Sequence, residues 1–198
     1  MNIHSIAPLI QQYYPEYYSL NSYPSDRCVT FCKTNDEFGL LCNFAKTPLV
    51  VNGVTFSCAE QLFQMLKFKD ELILKEIHQK VGMPIKWVAQ RGEKEGLRRE
   101  DWGSMIIDAM KYCLQLKYEQ SQKFRDVLNS TKEYYIIEDQ TNKKTLKNGK
   151  LKDADTWGAV LKGDNYVGSN LMGRLLMELR DNGSLSYKIP RDTSVLKI

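Results

Sequence analysis

An Asn-Gly pair at positions 52 and 53 is the sequence feature that most limits how this chain can fold. It separates two short runs that contain β-branched residues, residues 48–51 and 54–56. Asn and Gly tolerate the positive φ angles of a type I′ turn, which joins two antiparallel strands. We therefore expect a hairpin over residues 48–56 as the centre of a small β element.

Apolar residues spaced three and four apart predict helices along most of the remaining chain. The helix after the hairpin is expected to begin at Ser57, with Glu60 completing a capping box, and to run through Lys67 towards Asp70. Further helices are expected over about 70–81, 84–92, 102–114, 124–128 and 170–181, the last closed by Gly183. Strands are expected at 28–32 and 134–137, a short helix in the tyrosine-rich residues 1–26, and a glycine-punctuated loop over 157–168. These elements predict an α+β fold, a mainly helical single domain with a small β element.

Composition limits the classes of protein to which this chain can belong. The chain has 198 residues, 42% of them hydrophobic, which is enough for one domain with a real core. It has no apolar run long enough for a transmembrane helix and no basic, apolar start typical of a signal peptide. Five scattered cysteines without a CxxC pair indicate reduced thiols, so a cytoplasmic location is expected.

The scarcity of histidine excludes several kinds of catalysis. His4 and His78 are the two histidines of the chain, and neither has a cysteine or histidine at ligand spacing. A metal site and a Ser-His-Asp triad are therefore not expected, and no cofactor is indicated. Catalysis must depend on carboxylates, lysines, tyrosines or backbone groups, and the net charge of +4 permits an anionic ligand.

The predicted helix after the hairpin carries the first candidate site. At 100° per residue, Glu60, Gln64 and Lys67 share one polar stripe along which a ligand could lie. The alternative is structural: Glu60 completes the capping box, and Lys67 is a solvated surface lysine.

The second candidate is a glycine-spaced loop that leads into the last helix. It contains Asp155, Trp157, Gly158, Gly168 and Asn170. Free N–H groups at a helix start favour an anion, and Trp157 could stack on a base or ribose. The alternative is an ordinary loop with Ser169 or Asn170 as the N-cap.

Two basic segments are weaker candidates. Arg98 could bind a phosphate through both guanidinium nitrogens. Five lysines between residues 143 and 152 could contact a nucleic-acid backbone, although such a run is more often a solvated loop.

Four segments follow one another over about residues 29–181. They are Phe31-(x)-Lys33-(x3)-Glu37-Phe38-Gly39-(x2)-Cys42-Asn43-Phe44, Gly53-Val54-Thr55-Phe56-Ser57-(x2)-Glu60-Gln61-(x)-Phe63-Gln64-(x2)-Lys67-Phe68, Leu97-Arg98-(x3)-Trp102, and Asp155-(x)-Trp157-Gly158 with Gly168-(x)-Asn170-(x2)-Gly173-(x2)-Leu176-Met177-(x2)-Arg180. In this order they resemble the NADAR/YbiA-like family. This chain departs from the family pattern at four positions: Cys42 for a serine, Gln61 for a histidine, Met172 for a leucine, and Glu93 where an arginine is common.

The resemblance implies hydrolysis of a ribose C1′–N bond. It implies Lys67 as an amine nucleophile that forms a Schiff base, with Glu60 and Asp155 as acid/base and electrostatic partners. Trp157, Trp102 and Phe44 would shape the pocket, and ribose and phosphate would be held by Asn43, Gln64, Arg98, Gly158, Gly168 and Asn170. The expected division is an N-terminal extension over 1–28, the N-glycosidase domain over 29–183 and a C-terminal tail over 184–198, with residues 140–152 as an insertion.

Two enzyme substrates and one non-enzymatic role remain open. The first substrate is ADP-ribose on guanine bases of nucleic acid, which implies ADP-ribosylated DNA as a partner and a functional pairing with an ADP-ribosyltransferase toxin. The second is a ribosylamino-pyrimidine intermediate of riboflavin synthesis. The non-enzymatic alternatives are an ADP-ribose or nucleotide reader and a nucleic-acid-binding module built on the 143–152 lysines.

Overall fold

The computed structural model describes residues 6–190, which form helices and three small sheets. The helices are α1 (Ala7–Tyr13), α2 (Ala59–Met65), α3 (Glu71–His78), α4 (Met83–Lys94), α5 (Ile106–Gln120), α6 (Gln122–Ser130), α7 (Thr141–Lys144) and α8 (Leu171–Asn182). The strands are β1 (Asn21–Pro24), β2 (Cys28–Phe31), β3 (Leu49–Val51), β4 (Val54–Phe56), β5 (Tyr135–Glu138), β6 (Val160–Lys162) and β7 (Asn165–Gly168). The fold is α+β and mainly helical, as the sequence predicts.

The chain divides into two compact units. Unit 1 comprises the residues up to Cys42 together with Asp126–Ser184, and unit 2 comprises Asn43–Arg125 together with the residues from Leu185 onward. Within residues 6–190, no helix is both long and apolar enough to cross a membrane.

Unit 1 is built on short strands covered by a helix. β1, β7 and β6 form an antiparallel sheet in that order, and β2 pairs with β5 in parallel. Helix α8 packs on β5, where the side chain of Asn170 donates to the Ile136 carbonyl (2.8 Å) and accepts the Glu138 N–H (3.2 Å). A Cβ atom on Gly173 would lie 1.9 Å from the Ile136 carbonyl oxygen, so only glycine lets α8 approach this strand.

Unit 2 surrounds α2, the most enclosed helix of the unit. All seven residues of α2 are buried, and the helix contacts α3, α4, α5 and β4. The hairpin predicted from Asn52 and Gly53 is confirmed: β3 pairs antiparallel with β4, and these two residues have φ angles of 49° and 83°. The hairpin is therefore followed almost directly by α2, which begins three residues after the end of β4.

The other predicted helices and the two predicted strands are present, with shifted boundaries. The capping box is wrong: Cys58 is the N-cap of α2, and no side chain caps it. The Ser57 N–H donates instead to the Gln61 side chain (2.7 Å), and the Glu60 N–H donates to the Asn43 carbonyl (3.0 Å). Helix α2 also ends at Met65 rather than near Asp70, so Lys67 lies in the turn that follows.

The loop predicted over residues 157–168 is wrong as well, because strands β6 and β7 form a hairpin there. Its turn contains Gly163 at a φ angle of 58°, so this glycine is part of a strand connection. The glycines favoured a loop prediction, and strands of three and four residues are too short to show an alternating pattern.

Candidate active site

Lys67 is a sequestered amine. Its side chain is 14% exposed, and Nζ lies 3.0 Å from Oε1 of Glu93, whose side chain is 12% exposed. The same Nζ lies 5.8 Å from the ring centre of Phe63 and 5.7 Å from that of Trp102. The alternative of a solvated surface lysine is therefore wrong.

Backbone contacts fix the position of Lys67 immediately after α2. Its N–H donates to the Gln64 carbonyl (3.3 Å), and its carbonyl accepts the Arg99 N–H (2.9 Å). The next residue, Phe68, forms a β-bridge with Arg98. Because the backbone is hydrogen-bonded on both sides of Lys67, the position from which its side chain extends is fixed.

Glu60 is a buried carboxylate one helical turn before Gln64. It is 5% exposed, and its Oε1 accepts a hydrogen bond from Nε2 of Gln64 (2.8 Å). The same oxygen lies 3.6 Å from Nζ of Lys86. Burial and the hydrogen bond to Gln64 exclude the interpretation of Glu60 as a surface capping residue.

Helix α4 supplies the counter-charges for this site. Lys86 and Glu93 are seven residues apart on α4, so they project from the same face. Gly92 allows α4 to come close, because a Cβ atom there would lie 3.0 Å from side-chain atoms of Ile73 and Phe68. Two ion pairs result, Lys86 with Glu60 and Glu93 with Lys67.

Two effects act on the Lys67 amine in opposite directions. Burial lowers its pKa because the charged form loses hydration, whereas the adjacent Glu93 carboxylate and the charge of Glu60 raise it. Burial is the larger effect, and the positive charge of Lys86 adds to it, so the pKa of Lys67 is lowered below its ordinary value. A lowered pKa increases the fraction of Lys67 present as the free amine.

Aromatic side chains enclose the amine on one side. Trp102 is 1% exposed and packs against Phe63 with 5.3 Å between ring centres. Phe44 is half-buried, and its ring lies 5.6 Å from Nζ of Lys86. Asn43 is buried, and its amide oxygen has no hydrogen-bond partner among residues 6–190. Of the predicted residues in unit 2, all except Arg98 therefore have buried or half-buried side chains.

The Arg98 side chain is exposed. The buried guanidinium is that of Arg99, which donates from Nε and Nη2 to the Asp101 carboxylate (2.6 and 2.7 Å). This hydrogen bonding lowers the pKa of Asp101. A role of Arg98 in holding phosphate stays a prediction.

In unit 1, Asp155 and Trp157 form a local cluster. The Asp155 Oδ1 atom accepts hydrogen bonds from Nε2 of Gln140 (2.6 Å) and from the Trp157 N–H (3.0 Å). Its Oδ2 lies 3.6 Å from Nζ of Lys144, and its side chain is 52% exposed. Asp155 is therefore an oriented carboxylate in contact with water, near a half-buried tryptophan.

The start of α8 does not offer the free N–H groups expected for an anion. The N–H groups of Asn170, Leu171 and Met172 donate to the carbonyls of residues 158, 156 and 157 respectively. The glycines serve close packing: a Cβ atom on Gly158 would lie 2.4 Å from the Glu138 carbonyl, and one on Gly168 would lie 2.4 Å from the Gly158 carbonyl. These three N–H groups are therefore engaged within the protein. Close packing explains the two glycines, and a role of Gly158, Gly168 and Asn170 in binding substrate stays a prediction.

A cavity of about 340 Å³ lies in unit 1 beside Asp155 and Gly168. The N-terminal extension contributes Tyr18, Ser19 and Leu20 to its lining. A structural role of this extension was not evident from the sequence.

Three side chains that sequence analysis did not select contact the candidate residues: Glu93, Lys86 and Gln140. The resemblance marks Glu93 only as a departure from the expected pattern. Lys86 had no signal in its sequence neighbourhood, since its partner lies 26 residues earlier in the chain.

Comparison with known proteins identifies the family. The NADAR domain model matches residues 30–182. The chain belongs to the NADAR family. Among curated NADAR-like relatives, N-glycosidase YbiA of Shigella boydii serotype 4 (strain Sb227) is 33% identical over 156 residues, which are 79% of this chain and 88% of that protein. N-glycosidase YbiA of Escherichia coli (strain K12) is 32% identical over the same length.

A second kind of relative and a solved structure agree with this assignment to the NADAR family. A riboflavin biosynthesis protein of Vibrio vulnificus (strain YJ016) is 24% identical over 164 residues, 83% of this chain and 41% of that protein. The NMR structure of E. coli YbiA matches with a TM-score of 0.59 and 31% identity, covering 80% of this chain and 85% of that one.

Proposed function

We propose that this NADAR protein is an N-glycosidase that hydrolyses the C1′–N bond joining ADP-ribose to guanine in nucleic acid. Hydrolysis of an N-glycosyl bond is the activity named for its YbiA relatives. The observation that carries the proposal is the buried Lys67 amine with its two carboxylate neighbours, Glu93 and Glu60.

The environment of Lys67 suits nucleophilic attack at C1′. An amine attacks only when it is unprotonated, and desolvation of Lys67 favours that form. Attack at C1′ expels the base and leaves the sugar covalently attached to Nζ. Opening of the ribose ring then gives a Schiff base, which water hydrolyses to release the sugar and restore Lys67.

Carboxylates stabilise the charge that develops during bond cleavage. Positive charge grows on C1′ and the ring oxygen as the base departs, and a nearby anion lowers the energy of that state. Glu60 is buried and held by Gln64, so its charge acts with little screening by water. Asp155 is proposed, from the family resemblance, as a second acid/base group.

The lysines of the 141–152 segment favour a substrate carried on nucleic acid. Backbone bonds from Leu146 to Lys150 and from Lys152 to Lys144 shape this segment into a compact loop. Lys144 pairs with Asp155, whereas four exposed lysines form no ion pair within residues 6–190: Lys143, Lys147, Lys150 and Lys152. Closely spaced unneutralised cations attract a phosphodiester backbone. A functional pairing with an ADP-ribosyltransferase that modifies such a nucleic acid follows from this substrate.

The alternative enzyme substrate is a ribosylamino-pyrimidine phosphate, in line with the riboflavin biosynthesis relative. A non-catalytic ADP-ribose reader would need the same site without a working Lys67. The aromatic enclosure and the lowered pKa of Lys67 favour catalysis over simple recognition.

A comparison of cleavage rates for two substrates tests the proposal. Purified protein is given ADP-ribosylated guanine in an oligonucleotide and, separately, a ribosylamino-pyrimidine phosphate, and base release is followed by chromatography. Faster cleavage of the oligonucleotide supports the proposal, and faster cleavage of the pyrimidine substrate supports the alternative. Tight binding of ADP-ribose without cleavage of either substrate would establish the reader.

A further inference from the structure

We propose that Glu93 is the proton carrier of the Lys67 reaction, taking a proton from Nζ and delivering it to the ribose ring oxygen as the ring opens. This inference rests on the proposed function and assigns a further catalytic group to it. Its basis is the 3.0 Å contact between Nζ of Lys67 and Oε1 of Glu93, both on largely buried side chains.

The charged groups around Lys67 leave Glu93 as the best-placed acceptor. Three of them act on the amine: Glu93 and Lys86 from α4, and Glu60 from the first turn of α2. Lys86 is a cation, and Glu60 is engaged by Gln64 and Lys86. Glu93 alone among these three has a hydrogen bond with Nζ.

The need for a carrier follows from the chemistry of the adduct. When the neutral amine forms a bond with C1′, the C1′–N electron pair passes to the base nitrogen, which takes a proton from solvent. Nζ is then a secondary ammonium with two protons. It cannot form a double bond to C1′ until it loses one of them, and the ring oxygen cannot leave until it gains one.

Glu93 meets both needs with a single proton. Its carboxylate accepts a proton from the secondary ammonium, which gives a neutral amine and a carboxylic acid. The nitrogen lone pair then forms the C=N bond, the C1′–O bond breaks, and the ring oxygen takes the proton from Glu93. The products are an iminium, a sugar hydroxyl and the original carboxylate, so protons and charge balance.

Helix α4 holds the Glu93 carboxylate at this position. Gly92 lets α4 approach Phe68, the residue after Lys67, which brings the Glu93 carboxylate within reach of Nζ.

The experiment compares Glu93→Gln with wild type and with Glu95→Gln. Glu95 is a matched control because its carboxylate also lies at the end of α4 and pairs with Arg91 at the surface (3.4 Å). The first readout needs no substrate: acetylation of Lys67 by a pulse of acetic anhydride, resolved by mass spectrometry across a pH series. Glu93→Gln should shift the Lys67 acetylation profile to lower pH, because the carboxylate that stabilises the ammonium is gone, and Glu95→Gln should not.

The second readout separates attack from ring opening. With the N-glycoside that wild type cleaves, Glu93→Gln should release up to one equivalent of base and then stall, with later turnover lower by about 10²-fold. The sugar attached to Lys67 of Glu93→Gln should add to the intact protein mass. Borohydride should not reduce this adduct, because a closed-ring glycosylamine has no C=N bond. Wild type and Glu95→Gln should be trapped by borohydride.

Each arm can overturn the proposal separately. An unchanged acetylation profile in Glu93→Gln would show that Glu93 does not control the Lys67 proton, whatever the substrate. Wild-type turnover in Glu93→Gln would remove the carrier role while the proposed function stands. Failure of wild type to cleave either N-glycoside would overturn both the proposed function and the carrier role that depends on it, even if the acetylation profile shifts.

Discussion

Residue-scale chemistry at this site depends on how little water reaches Lys67. Its amine lies between two aromatic rings and two carboxylates, one of which is in direct contact. The helical stripe predicted from the sequence includes Lys67 and Glu60, although α2 ends before Lys67. Both side chains are nevertheless largely buried, because the turn after α2 keeps Lys67 near Phe63 of that helix. Their catalytic roles stay a prediction.

Substitution of Lys67 by arginine should abolish turnover while ligand binding persists. Arginine keeps the positive charge beside Glu93, but a guanidinium stays protonated and cannot attack C1′. We expect turnover to fall by on the order of 10³-fold or more, in the range of a lost catalytic group. Turnover is measured by base release and binding by calorimetry with ADP-ribose.

Lys94→Arg, at the exposed end of α4, is the control for the Lys67 variant. Borohydride should trap sugar on wild type and Lys94→Arg but not on Lys67→Arg. Near-normal activity of Lys67→Arg would rule out the amine mechanism and favour water attack assisted by Glu60 or Asp155.

Glu60→Gln should slow the reaction without unfolding the protein. A glutamine oxygen can still accept the hydrogen bond from Gln64, so the change removes the negative charge and, with it, the ion pair with Lys86. We expect kcat to fall by about 10²-fold, the usual effect of removing one electrostatic interaction with the transition state. Steady-state kinetics and thermal unfolding are compared; a large loss of thermal stability with unchanged kcat would contradict an electrostatic role.

At the scale of elements, glycines set how closely helices and strands approach. Gly173 brings α8 onto β5, and Gly158 and Gly168 bring neighbouring backbone segments together. The C-terminal family signature is therefore explained in large part by packing. The sequence shows these glycines but not what they touch, because the partner carbonyls lie far away along the chain.

Gly173→Ala should destabilise the protein more than Gly183→Ala, which places an alanine at the C-terminal end of α8. The new Cβ atom would lie 1.9 Å from a backbone oxygen, so α8 must move away from β5. We expect a loss of about 3 kcal/mol in the free energy of unfolding, as for an overpacked core. Gly183→Ala is the control, since its φ of 70° is strained for alanine but no atom lies nearby, and about 1 kcal/mol is expected. Urea unfolding measures both, and equal losses would contradict the packing role.

Local sequence patterns predicted the elements better than their ends. The Asn-Gly hairpin and the C-terminal glycine of α8 were predicted because each depends on the backbone preference of one or two residues. The α2 cap was mispredicted because the helix begins one residue later, at the N-cap Cys58, and the Ser57 N–H is bound by the Gln61 side chain. Likewise, nothing in the sequence indicated that Arg99 rather than Arg98 would be buried.

Removing the charge of the exposed lysines in the 141–152 loop should weaken binding to nucleic acid and leave the chemical step unchanged. The variant carries glutamine at positions 143, 147, 150 and 152, and its control carries glutamine at Lys46, Lys94, Lys123 and Lys188, which are also exposed. For a single-stranded oligonucleotide, the slope of log affinity against log salt should fall by about 0.7 for each phosphate that the loop no longer neutralises. Cleavage of an ADP-ribosylated guanosine, which has no polymer backbone, should be unchanged. Equal salt slopes in the two variants would show that the loop does not bind the backbone.

Across the whole molecule, buried and half-buried thiols and phenols make stability sensitive to alkaline pH. Burial raises the pKa of Cys28 to about 11 and those of Tyr112 and Tyr166 to about 12, and it raises the pKa of Cys113 as well. In each case the folded state holds its proton more tightly than the unfolded state. The stability that these groups contribute is therefore complete below the unfolded pKa and is lost as pH rises through the folded pKa.

The free energy of unfolding should consequently fall as pH increases from about 9 to 12. Urea titrations at a series of alkaline pH values, with a reductant present, give the profile. Cys28→Ser removes one of the titrating groups and should make the decline shallower near its lower end. A free energy that rises over this range would contradict the assignment of these groups as neutral in the folded state.

The three tryptophans differ so much in exposure that they give the molecule an optical signature. Trp87 is 62% exposed and Trp157 is half-buried, whereas Trp102 is enclosed 5.7 Å from the Lys67 amine. Replacing the exposed Trp87 with phenylalanine keeps Trp157, a predicted pocket residue, in place. Iodide then separates the more accessible emission of Trp157 from the shielded, blue-shifted emission of Trp102. Loss of the ammonium charge or arrival of a sugar beside Lys67 changes the field at that ring. The fluorescence of Trp102 would then follow each turnover in real time, without any attached dye.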